Sequence, residues 1–329
     1  MVFPDLVPAR LMSLAFVANY PGRIGRIVGL FFVLLAALAI GSYLSWDSVR
    51  FLHFPSAPNL IGTLLLQCAL PPYLLASWLY LYRETIRLEE ITREMADPGS
   101  SARLLEKVST LPLSAFVVIF LAVVWGVLQN REVFLYIVGG NEFGVLDISV
   151  LLGNAMIWLC VGFLIAWRIP VSLALRRYSR SLQIDLYATD KVLPVTYLAA
   201  KDVLIIAGAM SFMAFQSLDA EFRWVNYEAG FIVGIPAAII LLMTPLSGIR
   251  ANLIARKRAR LQEISDRIGA TTRTDMVTIE LLEAHADRIQ RISNWSIDLR
   301  VAARILGYGV IAPIAWVGAA LVENLVDTF

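Results

Sequence analysis

Long blocks of apolar residues separated by short polar stretches recur along the whole chain. They run from Ile24 to Trp46, Leu60 to Leu81, Leu111 to Leu128, Leu146 to Trp167, Val192 to Leu218, Ala229 to Ile249, and Val301 to Val326. Each meets or approaches the ~20 residues that a helix needs to cross a hydrocarbon core of roughly 30 Å at about 1.5 Å per residue. Runs such as Phe31 to Ile40 and Ile235 to Met243 show no alternation of polarity. A β-barrel, whose strands must alternate, is therefore excluded. The pattern predicts an all-α fold, a polytopic transmembrane helical bundle of about seven spans.

Composition agrees: 58% of the 329 residues are hydrophobic and 16% are charged, where a soluble domain carries about a quarter charged residues. The net charge of +2 says little; its placement says more. With seven spans and an inner N-terminus, the outer segments hold only Arg50, Arg131 and Arg223 of the 28 basic residues. The acidic residues Asp47, Glu132, Glu142, Asp147, Asp219, Glu221, Glu228, Glu323 and Asp327 fall outside. Positive charge is retained on the cytoplasmic face, so the expected orientation is N-terminus in and C-terminus out.

The expected organisation has four parts. Residues 1–23 form a cytoplasmic or interfacial segment, in which Leu11 to Ala18 could be mistaken for a secretory signal but is short, is preceded by Asp5, and on cleavage would place the Arg-rich segments on the wrong face. Residues 24–249 form six spans arranged as three hairpins, all facing the same way, which gives little support to inverted-topology repeats. Residues 250–300 form a cytoplasmic helical hairpin, and residues 301–329 a seventh span with an outer tail. In the hairpin, Leu261, Ile264 and Ile268 recur at helical spacing, Gly269 offers a stop, and Thr274 can cap a second helix bearing Leu282, His285, Ile289 and Ile292. The stretch Arg83 to Met95 is expected to continue the second span, with Leu88, Ile91 and Met95 as its apolar line, until Asp97-Pro-Gly-Ser-Ser101 breaks it.

Ionisable groups at membrane depth are the default functional candidates. Lys201 and Asp202 open the fifth span, and from Val203 to Leu218 only about 24 Å of uncharged helix remains, shorter than the core. Lys201 can snorkel along its alkyl stem, whereas Asp202 needs a partner or water. As sequence neighbours the two point in different directions. The simpler reading of Asp202 is a boundary charge; the alternative is a functional group. Asn154 and Gln67 lie near the middle of their spans, where amides usually bond between helices and less often face a pore or substrate.

Pro71, Pro72, Pro236, Pro245 and Pro313 fall inside predicted spans, where each frees backbone carbonyls and is a candidate hinge, although neighbouring helices can satisfy those groups. Gly230-Phe-Ile-Val-Gly234 offers a small surface for close helix packing. Arg256, Lys257, Arg258 and Arg260 follow the sixth span and are candidates for contact with anionic lipid head groups, beside the plainer reading that they enforce topology.

Enzymatic readings fare poorly. Histidines occur only at His53 and His285, no phosphate-binding Gly-rich loop is present, and Glu89-Glu90-Ile-Thr-Arg93 departs from the paired-glutamate spacing of CAAX-type membrane proteases. Cys68 and Cys160 sit in different spans and suggest neither a disulfide framework nor a metal site. No cofactor is implied. Basic residues track the membrane faces without interleaved aromatics, so nucleic acid is not an expected partner. The expected partners are the bilayer, anionic head groups, and a cytoplasmic protein or a second copy of the chain.

The stretch Asn294-Trp-Ser-Ile-Asp-Leu-Arg300, continuing through Pro313-Ile-Ala-Trp-Val-Gly318 to Glu323, resembles the tails of a group of bacterial multi-span proteins without an assigned activity. Ser296 stands where that pattern often has proline. The resemblance implies a bacterial inner membrane and a basic helical segment before the last span, and it carries over no catalytic or binding residue. Kinked spans around sparse polar groups lead to the expectation of a channel- or transporter-like protein for a small solute, ion or lipid. The scarcity of buried charge argues against an ion-coupled pump. The alternative is a noncatalytic scaffold or signal relay acting through residues 250–300.

Overall fold

The computed structural model describes residues 61–129, 145–187, 189–218, 230–270 and 276–293, with scattered further positions at 134–139, at 228 and between 302 and 318. The first predicted span, most of the outer turns, the Thr274 cap, Pro313 and the outer tail lie outside the described residues. Among the described residues the regular structure is helical throughout. We number the α-helices α1 (Ile61–Thr92), α2 (Pro98–Ser109), α3 (Leu113–Gln129), α4 (Val145–Ser181), α5 (Leu193–Ser211), α6 (Ile235–Ala270) and α7 (Met276–Arg291). Among the described residues, five helical stretches are long and apolar enough to cross a membrane: Gly62–Met95, Pro98–Gln129, Val150–Ser181, Leu193–Gln216 and Gly230–Ala270.

Of these, α1, α4 and α6 carry the apolar block past its end into a polar extension. Thus α1 passes Pro71 and Pro72 and continues to Thr92 before a short 3-10 turn, Arg93–Met95. Asp97 then caps α2 by accepting from Ser100 N at 3.1 Å, and Pro98 occupies the first turn, where its missing donor costs nothing. The stretch read as a breaker is therefore also a helix start. It folds α2 back over the face of α1 that carries Glu89, a carboxylate 1% exposed and bonded by Arg93 Nε at 3.0 Å and by the Ser101 hydroxyl. The apolar line expected on α1 is shifted accordingly: Leu88 is buried, but Ile91 is 58% exposed, because α2 covers the neighbouring stripe instead.

Pro236 lies early in the continuous helical stretch Gly230–Ala270. It is the second residue of α6, directly after a π-helical turn, Gly230–Gly234. The wider π turn accommodates a proline ring that would clash with the carbonyl of residue i−4 in a regular helix. Pro245 does lie within α6, as do Pro71 and Pro72 within α1, and Pro170 lies within α4.

At the centre, α4 packs against α1, α2, α3 and α6, while α5 packs against α1 and α6. Close approach needs small residues. A Cβ on Gly248 of α6 would sit 2.3 Å from the Arg176 carbonyl oxygen on α4, and one on Gly208 of α5 would sit 2.2 Å from the Tyr73 hydroxyl. The main core gathers Trp78, Leu81, Leu104, Trp167, Leu175, Tyr178, Leu246 and Leu253 toward the end of the bundle where the arginines cluster, hereafter the basic end. Asn252 and Arg256 of α6 donate to the Leu182 carbonyl at 2.7 and 3.0 Å, and Asn252 also donates to Ser179 O at 2.9 Å. These bonds satisfy carbonyls that the C-terminus of α4 leaves without helical partners. Beyond them α6 and α7 form an antiparallel hairpin whose buried residues include Ile264 and Ile289, tied by Lys257 Nζ to Gln290 O at 2.6 Å.

Candidate functional site

Where α4 and α5 face each other they make no extended backbone contact, and a cavity of about 500 Å³ occupies the space between them, α1 and α6. Its walls are mostly apolar, with Leu66, Leu70 and Leu74 from α1, Ile157 and Leu164 from α4, and Ile205 from α5. On α4 the lining extends from Val150 to Arg168, about 27 Å of helix at 1.5 Å per residue. The cavity therefore runs through most of the thickness that a bilayer core would have.

Few polar groups interrupt this wall, and they are mainly amides. Gln67 Nε2 donates to Val150 O at 2.9 Å, which fixes the amide's orientation, since a carbonyl can only accept. Gln67 Oε1 is buried and has no hydrogen-bond partner among the described residues. Gly153 makes room for this amide: a Cβ there would lie 2.3 Å from Gln67 Oε1. Asn154 Nδ2 donates to Gly126 O at 2.7 Å, joining α4 to α3. Gln129 accepts from Trp158 Nε1 at 2.8 Å, and Gln216 Oε1, like that of Gln67, is buried without a partner among the described residues. Glu228 lines the cavity as an exposed carboxylate at the end away from the basic one.

At the other end sits the buried charge. Arg168 Nε and Nη2 donate to Asp202 Oδ1 and Oδ2, both at 2.7 Å, in a bidentate pair whose side chains are each 1% exposed. Arg168 Nη1 also donates to Thr85 Oγ1 at 3.2 Å, and that hydroxyl donates to Leu81 O at 2.7 Å. Two charges removed from water are tolerated only when geometry and extra hydrogen bonds compensate their desolvation, and the planar guanidinium fork supplies both. The pair links α4 to α5 across the base of the cavity, with Thr85 bringing in α1. Below it begin the packed rings of Trp78 and Trp167, whose centroids are 6.3 Å apart and nearly perpendicular.

Asp202, Gln67 and Asn154 are thus brought to one cavity, the carboxylate through Arg168 and the amides directly. Lys201 is not. It turns away to Glu84 of α1, at 2.5 Å, and lies over the Tyr80 ring. Sequence reasoning missed Arg168, because the fourth apolar block ends at Trp167 and Arg168 falls just outside it. A signal was available: Arg168 ends one apolar run and Asp202 precedes another, so opposite charges lie at similar depth in two successive spans. Of the basic cluster after the sixth span, Arg256 and Lys257 bond helix-terminal carbonyls, Arg260 pairs with Glu263, and Arg258 is exposed.

The chain is all-helical among its described residues, and five of its helices suit a membrane. Comparison with known proteins adds no relative: no family model matches, and neither a curated protein nor a solved structure does so significantly.

Proposed function

We propose that this chain is a multi-pass integral membrane protein, in a bacterial inner membrane, that admits a small, electrically neutral solute or lipid to the cavity and passes it along the bundle. The carrying observation is that a cavity of about 500 Å³ reaches both mid-span amides and ends on a charge pair that neutralises itself. A volume of this size suits a small ligand, and apolar walls with a few fixed polar groups are what such sites use for affinity and orientation. The unpartnered acceptors Gln67 Oε1 and Gln216 Oε1 favour a molecule that donates hydrogen bonds. A charged permeant finds no free counter-charge at the base, since Asp202 accepts from Arg168 Nε and Nη2 and Thr85 accepts from Nη1. Passage beyond the pair requires α4 and α5 to separate, and Pro170, two residues after Arg168, weakens α4 at that level.

The test is flux in liposomes containing the purified chain, comparing neutral solutes, ions and lipid probes. Neutral solute or lipid movement is expected, and replacing Asn154 and Gln67 by Leu should reduce it. Folded protein that moves none of these probes would sink the proposal.

A second reading rests on the hairpin. Met276, Val277 and Leu281 on α7 are 64–69% exposed and form an apolar strip for a cytoplasmic partner or a second copy. Changing all three to Ser should abolish any specific co-purifying protein while leaving flux intact; an unchanged set of companions counts against the relay.

A further inference from the structure

A second recess lies on the other side of α5 from the buried pair, and it is built differently. It has a volume of about 360 Å³ and is enclosed by α1, α5 and the helical positions 304 and 308. Three cations from three segments converge on it, Arg87, Lys201 and Arg304, against a single carboxylate, Glu84, that Lys201 already engages at 2.5 Å. Positive charge is therefore left over. Arg87 and Arg304 are both exposed, and the Arg304 guanidinium lies over the Tyr197 ring at 5.5 Å. Tyr308 adds a second phenol to the lining.

Depth and polarity indicate what such a recess would hold. Lys201 adjoins the start of the uncharged run Val203 to Leu218, which places the recess at the level where apolar helix gives way to the basic end. Its floor is apolar, with Leu88 and Leu198 each 3% exposed, and beside it Ile91 projects outward. Cations and phenols over an apolar floor match a lipid in cross-section: head group at the arginines, ester region at the tyrosines, chains along the helix surface. A soluble anion would use only the first of these features. We propose that this recess binds the phosphate of an anionic phospholipid head group, with Arg87, Lys201 and Arg304 as its ligands. The site lies apart from the cavity, and its occupancy is read without measuring flux. It also moves the head-group contact away from the Arg256 to Arg260 cluster, two of whose cations are spent on helix ends.

The experiment uses the full chain in neutral mixed micelles, titrated with fluorescent phosphatidylglycerol or with phosphatidylcholine of the same acyl chains. Native mass spectrometry counts retained lipid. Phosphatidylglycerol should bind in preference, and Arg87→Gln and Arg304→Gln should each weaken it about fivefold, the ~1 kcal/mol expected per basic residue. The pair Arg87→Lys and Arg304→Lys should keep most of the preference, which guards against a folding artefact. Arg258→Gln, an exposed basic residue outside the recess, should change nothing. Equal binding of the two lipids would overturn the site, as would a loss at Arg258→Gln as large as at Arg87→Gln. Competition by inorganic phosphate as effective as that by the lipid would overturn the assignment to a lipid.

Discussion

Toward the basic end, α1, α2, α4, α5 and α6 meet in a dry cluster of Trp78, Trp167, Tyr178 and aliphatic residues. The strongest polar groups there are held face to face: Arg168 with Asp202, Glu89 with Arg93 and Ser101, and Thr92 with Tyr178 at 2.6 Å. Toward the opposite end α1, α4, α5 and α6 enclose the cavity. Their amides line a cavity instead of a core, and two amide oxygens have no partner among the described residues. The difference lies in what each region asks of its residues. At the basic end the buried ions Arg168 and Asp202 are paired, since an uncompensated charge in a packed core costs several kcal/mol, although Trp78 Nε1, Ser172 Oγ and Arg176 Nε are buried there without a partner among the described residues. The cavity end tolerates weaker and incomplete bonding, because an amide between membrane helices contributes only about 0.6 kcal/mol on average.

This contrast can be broken most directly at the charge pair. Asp202→Ala leaves the Arg168 guanidinium buried and uncompensated, and should cost about 3–5 kcal/mol of stability, read as a fall in the thermal transition in detergent. The double change Arg168→Met with Asp202→Leu should recover most of it, because two apolar side chains need no compensation. Equal melting of the single and double variants would show that the pair is not the clamp described.

A smaller effect is expected at the helix crossings. Gly248→Ala drives a methyl into the Arg176 backbone, which cannot turn aside, and should destabilise by about 1–3 kcal/mol. Gly153→Ala meets only the Gln67 side chain, which can rotate into the cavity. It should melt closer to the wild type yet narrow the site, so that solute uptake falls more than stability. If the two alanines are equally destabilising, the cavity end is as tightly packed as the base and the contrast fails.

The smallest stability change belongs to Asn154→Leu, about 0.6 kcal/mol for the bond to Gly126 O. Here flux should move while the melting transition hardly does. The reverse result, a large fall in stability with flux unchanged, would assign Asn154 to packing alone.

Much of the helical framework was legible along the chain. The described parts of α1, α3, α4, α5 and α6 coincide with apolar blocks, and the periodic residues Ile264 and Ile289 are buried in the hairpin that they predict. Less legible were the features that depend on a neighbour. Ile91 has the spacing of a buried residue and is exposed, because α2 folds onto the adjacent stripe of α1. Pro236 reads as a candidate hinge inside a span, and that it follows a π turn at the start of α6 has no signature in the sequence. Arg256 and Lys257 read as topology-enforcing charges or candidate lipid contacts, and the carbonyls at the ends of α4 and α7 that they bond are brought near only by the fold.

By itself the sequence determined that this chain is helical and that its helices are suited to lipid, because apolar length is a sum over adjacent residues and requires no knowledge of what lies opposite. It also marked Asp202 as a group in need of a partner. Which partner was a decision of the tertiary structure. Arg168 lies 34 positions away, and the two meet only because α4 and α5 stand at matched depth with a gap that a guanidinium can bridge. The same gap is the floor of the cavity. Empty space between helices is set by where their faces diverge, and no residue or run of residues records it.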